Sequence, residues 1–175
     1  ISYCSIENNT SGFNAAGIFC HGASPKISHC TISGNRGLNY GGIFCVNSAP
    51  EVVDTMINGN TARIDSSKNP IGGRGGGLYC DDSSSPTLKN CIISGNSANY
   101  GGGIYGGSPI ILNCTITNNR AVIFYFNIGP VVGTGGGIGG GFHSNGSILN
   151  SIIWGNSPDQ LNSSSTPLYS NIQDW

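Results

Sequence analysis

The sequence predicts an all-β solenoid that is built from one repeated unit of short strands. Three observations lead to this prediction. An Ile-x-x-Asn unit recurs along the chain, a phrase of the Gly-Ile-Phe-Cys type follows most copies of it, and the apolar runs between the Gly, Asn and Ser residues are too short for helices. Self-similarity at a period of about 20–50 residues is typical of solenoids and other repeat architectures.

The asparagines of the repeated unit occupy one position in a predicted turn. They are separated by 26, 25, 36, 23 and 37 residues. They are Asn9, Asn35, Asn60, Asn96, Asn119 and Asn156. A buried amide needs partners for its donors and its acceptor, and a stack of identical amides supplies them. We therefore interpret the six asparagines as a structural ladder.

The apolar residues within one copy show how each coil is built. In the second copy Ile27 stands alone, and the pairs Cys30 and Ile32, then Ile43 and Cys45, are each separated by one residue. Period-two alternation indicates strands that bury one face. Three short strands in a coil of 23–26 residues predict a single-stranded right-handed parallel β-helix. We expect one domain over 1–175, with about six coils stacked roughly 4.8 Å apart.

The cysteines fall into two columns of equivalent positions. One column holds Cys4, Cys30, Cys91 and Cys114, and the other holds Cys20, Cys45 and Cys80. No Cys-x-x-Cys metal motif occurs. Two interpretations stay open: free thiols that act as small apolar filler, or vertical disulfides between adjacent coils, whose Cα atoms are close enough to bridge.

Several phrases resemble a known group of repeats. They are Ile-Ser-Gly-Asn at 93–96, Gly-Gly-Gly-Ile-Tyr at 101–105 and Asn-Cys-Thr-Ile at 113–116. They resemble the parallel β-helix repeats of secreted bacterial and archaeal surface proteins in the pectin-lyase-like superfamily. The resemblance covers nearly the whole chain and implies the fold. It leaves the activity open, because such repeats occur in adhesins, structural surface proteins and carbohydrate-active enzymes.

Two copies are expanded by insertions at the same turn, at 61–74 and 120–134. The first is polar and basic, and the second is strongly apolar. Insertions in repeat proteins often carry the binding face, although the apolar one has the alternative of folding back as a local core. The candidate binding residues, for a glycan or a protein, are Arg63, Asp65, Arg74, Tyr100, Phe124, Tyr125 and Phe126.

Candidate catalytic groups are sparse. The chain has eight carboxylates, well scattered, whereas a calcium site needs about six to eight oxygen ligands. We therefore predict no metal and no cofactor. The adjacent Asp81 and Asp82 are interpreted as a solvated turn. His29 and Asp54 are expected to be neighbours on adjacent coils, a pairing suited to acid–base chemistry, but no nucleophile accompanies them and we assign no catalytic residue.

The composition bounds the partners and the location. Charged residues make up 9% of the chain and the net charge is −1, which gives no electrostatic basis for binding nucleic acid. No apolar run approaches the roughly 18 residues that a membrane span needs. Low charge on a surface rich in Ser, Thr and Asn favours an extracellular or cell-surface solenoid. Both ends lack a polar cap, so we expect either end-to-end stacking or continuation in a longer chain.

These observations favour one function and leave an alternative. The leading hypothesis is a non-catalytic extracellular protein of structural or adhesive type, with filament formation by end-to-end stacking. The alternative is a carbohydrate-binding or polysaccharide-cleaving module, of lyase or hydrolase type, whose site is formed by the insertions at 61–74 and 120–134.

Overall fold

The coils stack as the repeat predicts. The computed structural model describes residues 1–12, 14, 17–62, 73–125, 129–132, 146–161 and 167–173. In these ranges the strands belong to four sheets, numbered here in the order in which one coil visits them. Strands at equivalent positions of neighbouring coils pair in parallel. None of these residues forms a helix long and apolar enough to span a bilayer.

The strands of each sheet share one position in the coil. Sheet 1 contains β3 (Lys26–Ser28), β7 (Glu51–Val53), β11 (Thr87–Lys89), β15 (Ile110–Leu112) and β19 (Ser147–Leu149). Sheet 2 contains β1 (Ser5–Glu7), β4 (Thr31–Ser33), β8 (Met56–Asn58), β12 (Ile92–Ser94), β16 (Thr115–Thr117), β20 (Ile152–Trp154) and β21 (Asn171–Ile172). Sheet 3 contains β5 (Arg36–Gly37), β9 (Thr61–Ala62), β13 (Ser97–Ala98), β17 (Arg120–Tyr125) and β18 (Gly129–Val132). Sheet 4 contains β2 (Ile18–His21), β6 (Ile43–Val46), β10 (Leu78–Cys80) and β14 (Ile104–Tyr105).

The register confirms the columns. Ile32 pairs with Ile57, and Ile93 pairs with Ile116. The seven described strands of sheet 2 are therefore joined by six turns of the solenoid, in agreement with the predicted six coils. The predicted fold class is therefore confirmed: the chain is all-β, the strands of its coils are parallel, its coils repeat, and two of the coils carry insertions.

In four successive coils the structure adds a strand of sheet 3 to the predicted three. Three of these strands, β5, β9 and β13, are only two residues long, and their inward side chains are small or absent, as at Gly37, Ala62 and Ala98. Two residues are too few to show an alternation of apolar and polar side chains, so no periodic pattern predicts this strand. A further departure is that β17 and β18 form an antiparallel ribbon.

The interior is a set of aliphatic columns. Sheet 2 supplies the predicted isoleucine column, in which Ile32, Ile57 and Ile93 are fully buried. Sheet 1 supplies a second column, with Val52 and Leu88 among its members. Because equivalent residues meet at the spacing of adjacent strands, each coil covers the apolar side chains of the next, and no single coil has a core of its own.

The asparagine ladder forms as predicted. Between Asn60 and Asn96, both the backbone N–H and the side-chain Nδ2 of Asn60 donate to Asn96 Oδ1, at 2.9 and 3.0 Å. Asn96 Nδ2 in turn donates to the carbonyl of Ile57 at 2.9 Å and to Asn119 Oδ1 at 2.9 Å. The five amides from Asn35 to Asn156 are buried, and the ladder fastens the turn between sheets 2 and 3 to its neighbours.

The first cysteine column is a second hydrogen-bonding ladder, so its thiols do more than fill space. Cys114 Sγ donates to the carbonyl of Leu112 at 3.2 Å and accepts the backbone N–H of Cys91 at 3.4 Å. Ser151 makes the same pair of contacts, with its Oγ 2.8 Å from the carbonyl of Leu149 and 3.1 Å from the nitrogen of Cys114. Thr55 Oγ1 also makes this pair of contacts, with the carbonyl of Val53 and the nitrogen of Cys30. Thiol and hydroxyl groups thus make the same bonds here, which explains why the column mixes Cys, Thr and Ser.

All seven thiols are free, and all but the exposed Cys4 are buried. In the second column, the hydrogen bond with Cys45 and burial raise the pKa of the Cys20 thiol far above its ordinary value. In the first column, the hydrogen bond with Cys114 and burial do the same for the pKa of Cys91. Both thiols therefore stay protonated at neutral pH.

Candidate functional site

The outer face of sheet 4 carries a column of aromatic rings. Side chains alternate along a strand, so in β2 the residues Ile18 and Cys20 point inward while Phe19 and His21 point outward. The parallel register then aligns the outward aromatic residues of four successive coils. They are Phe19, Phe44, Tyr79 and Tyr105. Their ring centroids are 4.7, 5.4 and 5.7 Å apart in that order.

A second group of side chains packs on this column from the turn that precedes sheet 4. The Tyr40 ring lies 4.0 Å from the Phe44 ring and 4.2 Å from the Tyr79 ring. Tyr100 meets the Tyr105 ring edge-on at 6.3 Å. We refer to the six residues together as the aromatic stripe. They are Phe19, Tyr40, Phe44, Tyr79, Tyr100 and Tyr105.

The stripe is partly exposed. Phe44 points outward but is only 6% exposed, because its neighbours cover it, whereas Phe19 is 56% exposed. The tyrosines are half-buried. Carbon atoms in full contact are about 3.5–4.0 Å apart, so column spacings of 4.7–5.7 Å mean that the rings are offset or tilted. Each ring therefore leaves part of its face or edge uncovered by the next.

Arg74 supplies the cationic contact to the stripe among the described residues. Its guanidinium carbon lies 5.6 Å from the centre of the Tyr105 ring, within the range of a cation–π interaction. The backbone holds Arg74 in place, since its N–H donates to the carbonyl of Asn39 at 2.7 Å and its strand position pairs with Tyr100. Arg74 thus occupies the turn position that Tyr100 has on the next coil, and its guanidinium lies over the outward column.

Two phenols of the stripe are held in their neutral form. Burial, with a smaller contribution from Tyr40, raises the pKa of Tyr79 above its usual value, and the charge of Arg74 only partly opposes this. Burial likewise raises the pKa of Tyr105. At neutral pH both residues therefore present hydroxyl groups that donate and accept hydrogen bonds.

The structure brings together only part of the predicted binding site. Arg74 and Tyr100 meet at the stripe. Phe124 and Tyr125 lie on β17, where they pair with Pro130 and Gly129 of the antiparallel ribbon. Arg63, Asp65 and Phe126 lie outside the described residues. The rest of the stripe was missed, although the outward position of the repeated Gly-Ile-Phe-Cys phrase carried the signal for four of its six rings.

The two insertions leave the solenoid at the same turn, as predicted. Ala62 ends β9, and Ala121 lies in β17, two coils further on. Both strands pair with β13, through Thr61 and Arg120 on either side of Ser97. The insertions therefore begin on sheet 3, which is the sheet that each coil visits just before the turn carrying Tyr40 and Tyr100.

The predicted His29–Asp54 pair exists, and it belongs to a surface ladder. His29 Nε2 lies 3.5 Å from Asp54 Oδ2, and both side chains are more than one-third exposed. The Tyr3 ring stacks on His29 at 4.7 Å, and Asn90 Nδ2 donates to Asp54 Oδ1 at 3.0 Å. These residues share a positive φ, which places their side chains in one row at the turn between sheets 1 and 2. The arrangement fastens successive turns to one another.

Asp81 has a structural contact that fits its interpretation as a turn residue. Its two carboxylate oxygens lie 3.2 and 3.1 Å from the backbone nitrogen of Asn47, which donates to them, and it also accepts from the hydroxyl of Ser84. Over the described ranges, no group of three or more His, Cys, Asp or Glu side chains is placed to hold a metal ion.

The comparisons with known proteins agree with this geometry. A family model described as a right-handed β-helix region matches residues 1–129 of the 175. No curated protein and no solved structure matches the chain. The family match spans more than half of the chain and coincides with the coils whose parallel strands and aligned columns are described above. The chain therefore belongs to the right-handed β-helix family.

Proposed function

We propose that this protein is a non-catalytic adhesive β-solenoid that acts outside the cell and recognises carbohydrate through the aromatic stripe. The observation that carries the proposal is the placement of one outward ring on each of four successive coils. A contiguous exposed apolar patch often marks an interaction site or a ligand-binding groove, whereas apolar residues that are scattered singly over a surface are ordinary. Tyrosine suits such a site, since it offers an apolar ring and a polar hydroxyl on one stiff side chain.

The scaffold under the stripe supports a binding role. Each ring is attached to a strand whose backbone is paired on the neighbouring coil, and the asparagine ladder fastens the turn between sheets 2 and 3 of the same coils. The positions of the rings are therefore set before any ligand arrives. Binding therefore costs the protein little conformational entropy, which favours affinity even where each single contact with the ligand is weak.

The extracellular location and the adhesive role rest on composition. With only 9% charged residues and a net charge of −1, the chain lacks the field that steers polyelectrolytes to a surface. Recognition through ring faces and hydroxyl groups does not need such a field. A neutral, Ser-, Thr- and Asn-rich exterior with one aromatic stripe fits a protein that attaches to an extracellular surface.

Affinity electrophoresis in gels that contain soluble polysaccharides tests the proposal. The wild type is compared with a Tyr79→Ala, Tyr105→Ala double variant and with a matched control, Met56→Ala with Ile92→Ala. Met56 and Ile92 are 41% and 44% exposed on the outer face of sheet 2, away from the stripe. Circular dichroism verifies that both variants are folded.

We expect the wild type and the control to be retarded by at least one polysaccharide and the stripe variant to lose at least nine-tenths of that retardation. Equal retardation of all three proteins would show that the stripe is not the binding surface. Release of reducing ends by the wild type would support the alternative function, polysaccharide cleavage. End-to-end association stays a prediction, and sedimentation velocity over a range of protein concentrations tests it.

A further inference from the structure

We infer that the ligand of the aromatic stripe is a linear, uncharged polysaccharide that lies along the solenoid axis, with successive sugar rings on successive coils. This inference rests on the proposed function and names the class and the orientation of the ligand. It is carried by the direction of the stripe and by the charges around it.

The stripe is long in one direction only. From Phe19 to Tyr105 it crosses three coil spacings, or about 14 Å, whereas across the strands it is one outward ring wide, with Tyr40 and Tyr100 packed against that ring. On the second coil Phe44 is covered, and the ring that stays partly exposed there is Tyr40, which packs on it. A single sugar would use one coil and leave the rings of the others unused. In a linear polysaccharide each sugar ring follows the last at about the length of one pyranose. This length is similar to the 4.7–5.7 Å between the aromatic rings of adjacent coils.

The orientation of the rings suits a chain that is stacked in this way. Successive rings are offset, so each exposes part of its face toward solvent and toward one end of the stripe. The apolar C–H face of a pyranose fits such a surface, and its hydroxyl groups point sideways to polar neighbours. The tyrosines of the stripe carry hydroxyl groups, which both donate and accept hydrogen bonds and suit the role of such neighbours.

The charges around the stripe favour a neutral chain over an acidic one. A polysaccharide with a carboxylate on each sugar needs a cation on each coil to offset the cost of desolvating the charges. Among the described residues the stripe contacts one guanidinium, that of Arg74, which is already positioned over Tyr105. The other coils place His21, Val46 and Asp81 at the position two residues after the outward ring, and these do not form a cationic row.

Calorimetric titration of the intact protein with two matched series of oligosaccharides tests the inference. The first series contains uncharged β-linked oligomers of glucose, xylose and mannose, from two to six sugars long. The second contains galacturonic acid oligomers of the same lengths. Each titration is repeated at a tenfold higher salt concentration, since ion pairing is screened by salt and stacking is not.

We expect at least one neutral series to bind, with an affinity that rises at least tenfold from two to four sugars, levels off beyond four, and is unchanged by salt. Phe19→Ala is expected to reduce the gain from the fourth sugar only, because Phe19 lies at the end of the column. Tyr79→Ala is expected to reduce the affinity of every length above two, since it interrupts the column.

Different failures have different meanings. Tighter, salt-sensitive binding of the acidic series would overturn the neutral class and leave the proposed carbohydrate binding intact. An affinity that stops rising at two sugars would overturn the axial arrangement. If the wild type binds no oligomer of either series and no polysaccharide in the gels, the inference and the proposed function fail together.

Discussion

Gln160 occupies the place of a further asparagine above Asn156. Its Oε1 accepts both the backbone N–H of Asn156, at 3.1 Å, and the side-chain Nδ2, at 3.0 Å. Its own Nε2 donates back to the carbonyl of Asn156 at 3.0 Å. The asparagine ladder therefore ends on a residue that reproduces the two contacts an asparagine of the next coil would make.

Replacing this residue is expected to loosen the last turns of the solenoid. In Gln160→Ala two donors of the buried Asn156 lose their acceptor, which costs about 1–3 kcal/mol for each group that water does not reach. We expect faster hydrogen exchange at Asn156 and a lower unfolding midpoint. The control is Gln173→Ala, which removes one exposed hydrogen bond, from the Gly155 nitrogen. Equal effects of the two changes would contradict a capping role for Gln160.

An asparagine inside the ladder is expected to matter more than the one at its exposed end. Asn96→Ala removes both bonds that the amide donates and leaves two donors of the buried Asn60 without an acceptor. We expect the free energy of unfolding to fall by about 3 kcal/mol. Asn9 is exposed, so Asn9→Ala is expected to cost less than about 1 kcal/mol. Urea denaturation measures both, and a cost for Asn96→Ala no larger than for Asn9→Ala would show that the ladder is not stabilising.

The repeated Gly-Gly before sheet 4 is expected to be intolerant of any side chain. A Cβ on Gly77 would lie 2.7 Å from the carbonyl oxygen of Gly103 and 3.1 Å from Asn96 Nδ2, both on the next coil. Overpacking of this kind costs about 1–3 kcal/mol, and we expect Gly77→Ala to lower the thermal midpoint accordingly. Within the described part of the chain, no atom lies within 4 Å of an ideal Cβ on Gly12, so Gly12→Ala is the matched control and is expected to be neutral. A neutral Gly77→Ala would show that adjacent coils can separate at this turn.

The buried thiols are expected to make the protein less stable in alkaline solution. The pKa of Cys20 and that of Cys91 are raised in the folded state, so above the ordinary thiol pKa of about 8.5 the unfolded chain loses protons that the folded chain keeps. The free energy of unfolding then falls as the pH rises, by about 1.4 kcal/mol per pH unit for each such thiol. Below that pH the contribution is fully present.

Denaturation between about pH 8.5 and 10, below the ordinary tyrosine pKa, measures this slope. Cys91→Ser keeps the hydrogen bonds of the column and removes one titrating thiol. The free energy of unfolding is therefore expected to fall less steeply with pH, by about 1.4 kcal/mol per pH unit. Ser151→Ala changes the same column without touching a thiol and is expected to leave the slope as in the wild type. If Cys91→Ser has the wild-type slope, the thiol does not ionise on unfolding as proposed.

The sequence predicts the position of those site residues that belong to the repeated phrase. Phe19, Phe44 and Tyr79 follow the inward residue of the same recurring phrase, so period two alone places them outward and in one column. Tyr40 and Arg74 come from the turn before that phrase, where no periodicity applies. Their contacts with the rings depend on the path of the turn, which single-sequence patterns do not give.

The spacing of the repeat was enough to predict the parallel β-helix, the positions of the coils, the asparagine ladder and the two cysteine columns. It did so because every coil repeats the same spacing, so one register aligns all equivalent residues. Three contacts came from the folded chain alone: Gln160 ends the ladder, the thiols of one column bond as hydroxyl groups do, and Arg74 lies over Tyr105. Gln160 and Arg74 meet residues at other positions of the repeat, at distances set by the bend of each turn. The thiol contacts depend on the rotation of each side chain, which the spacing of the repeat does not give.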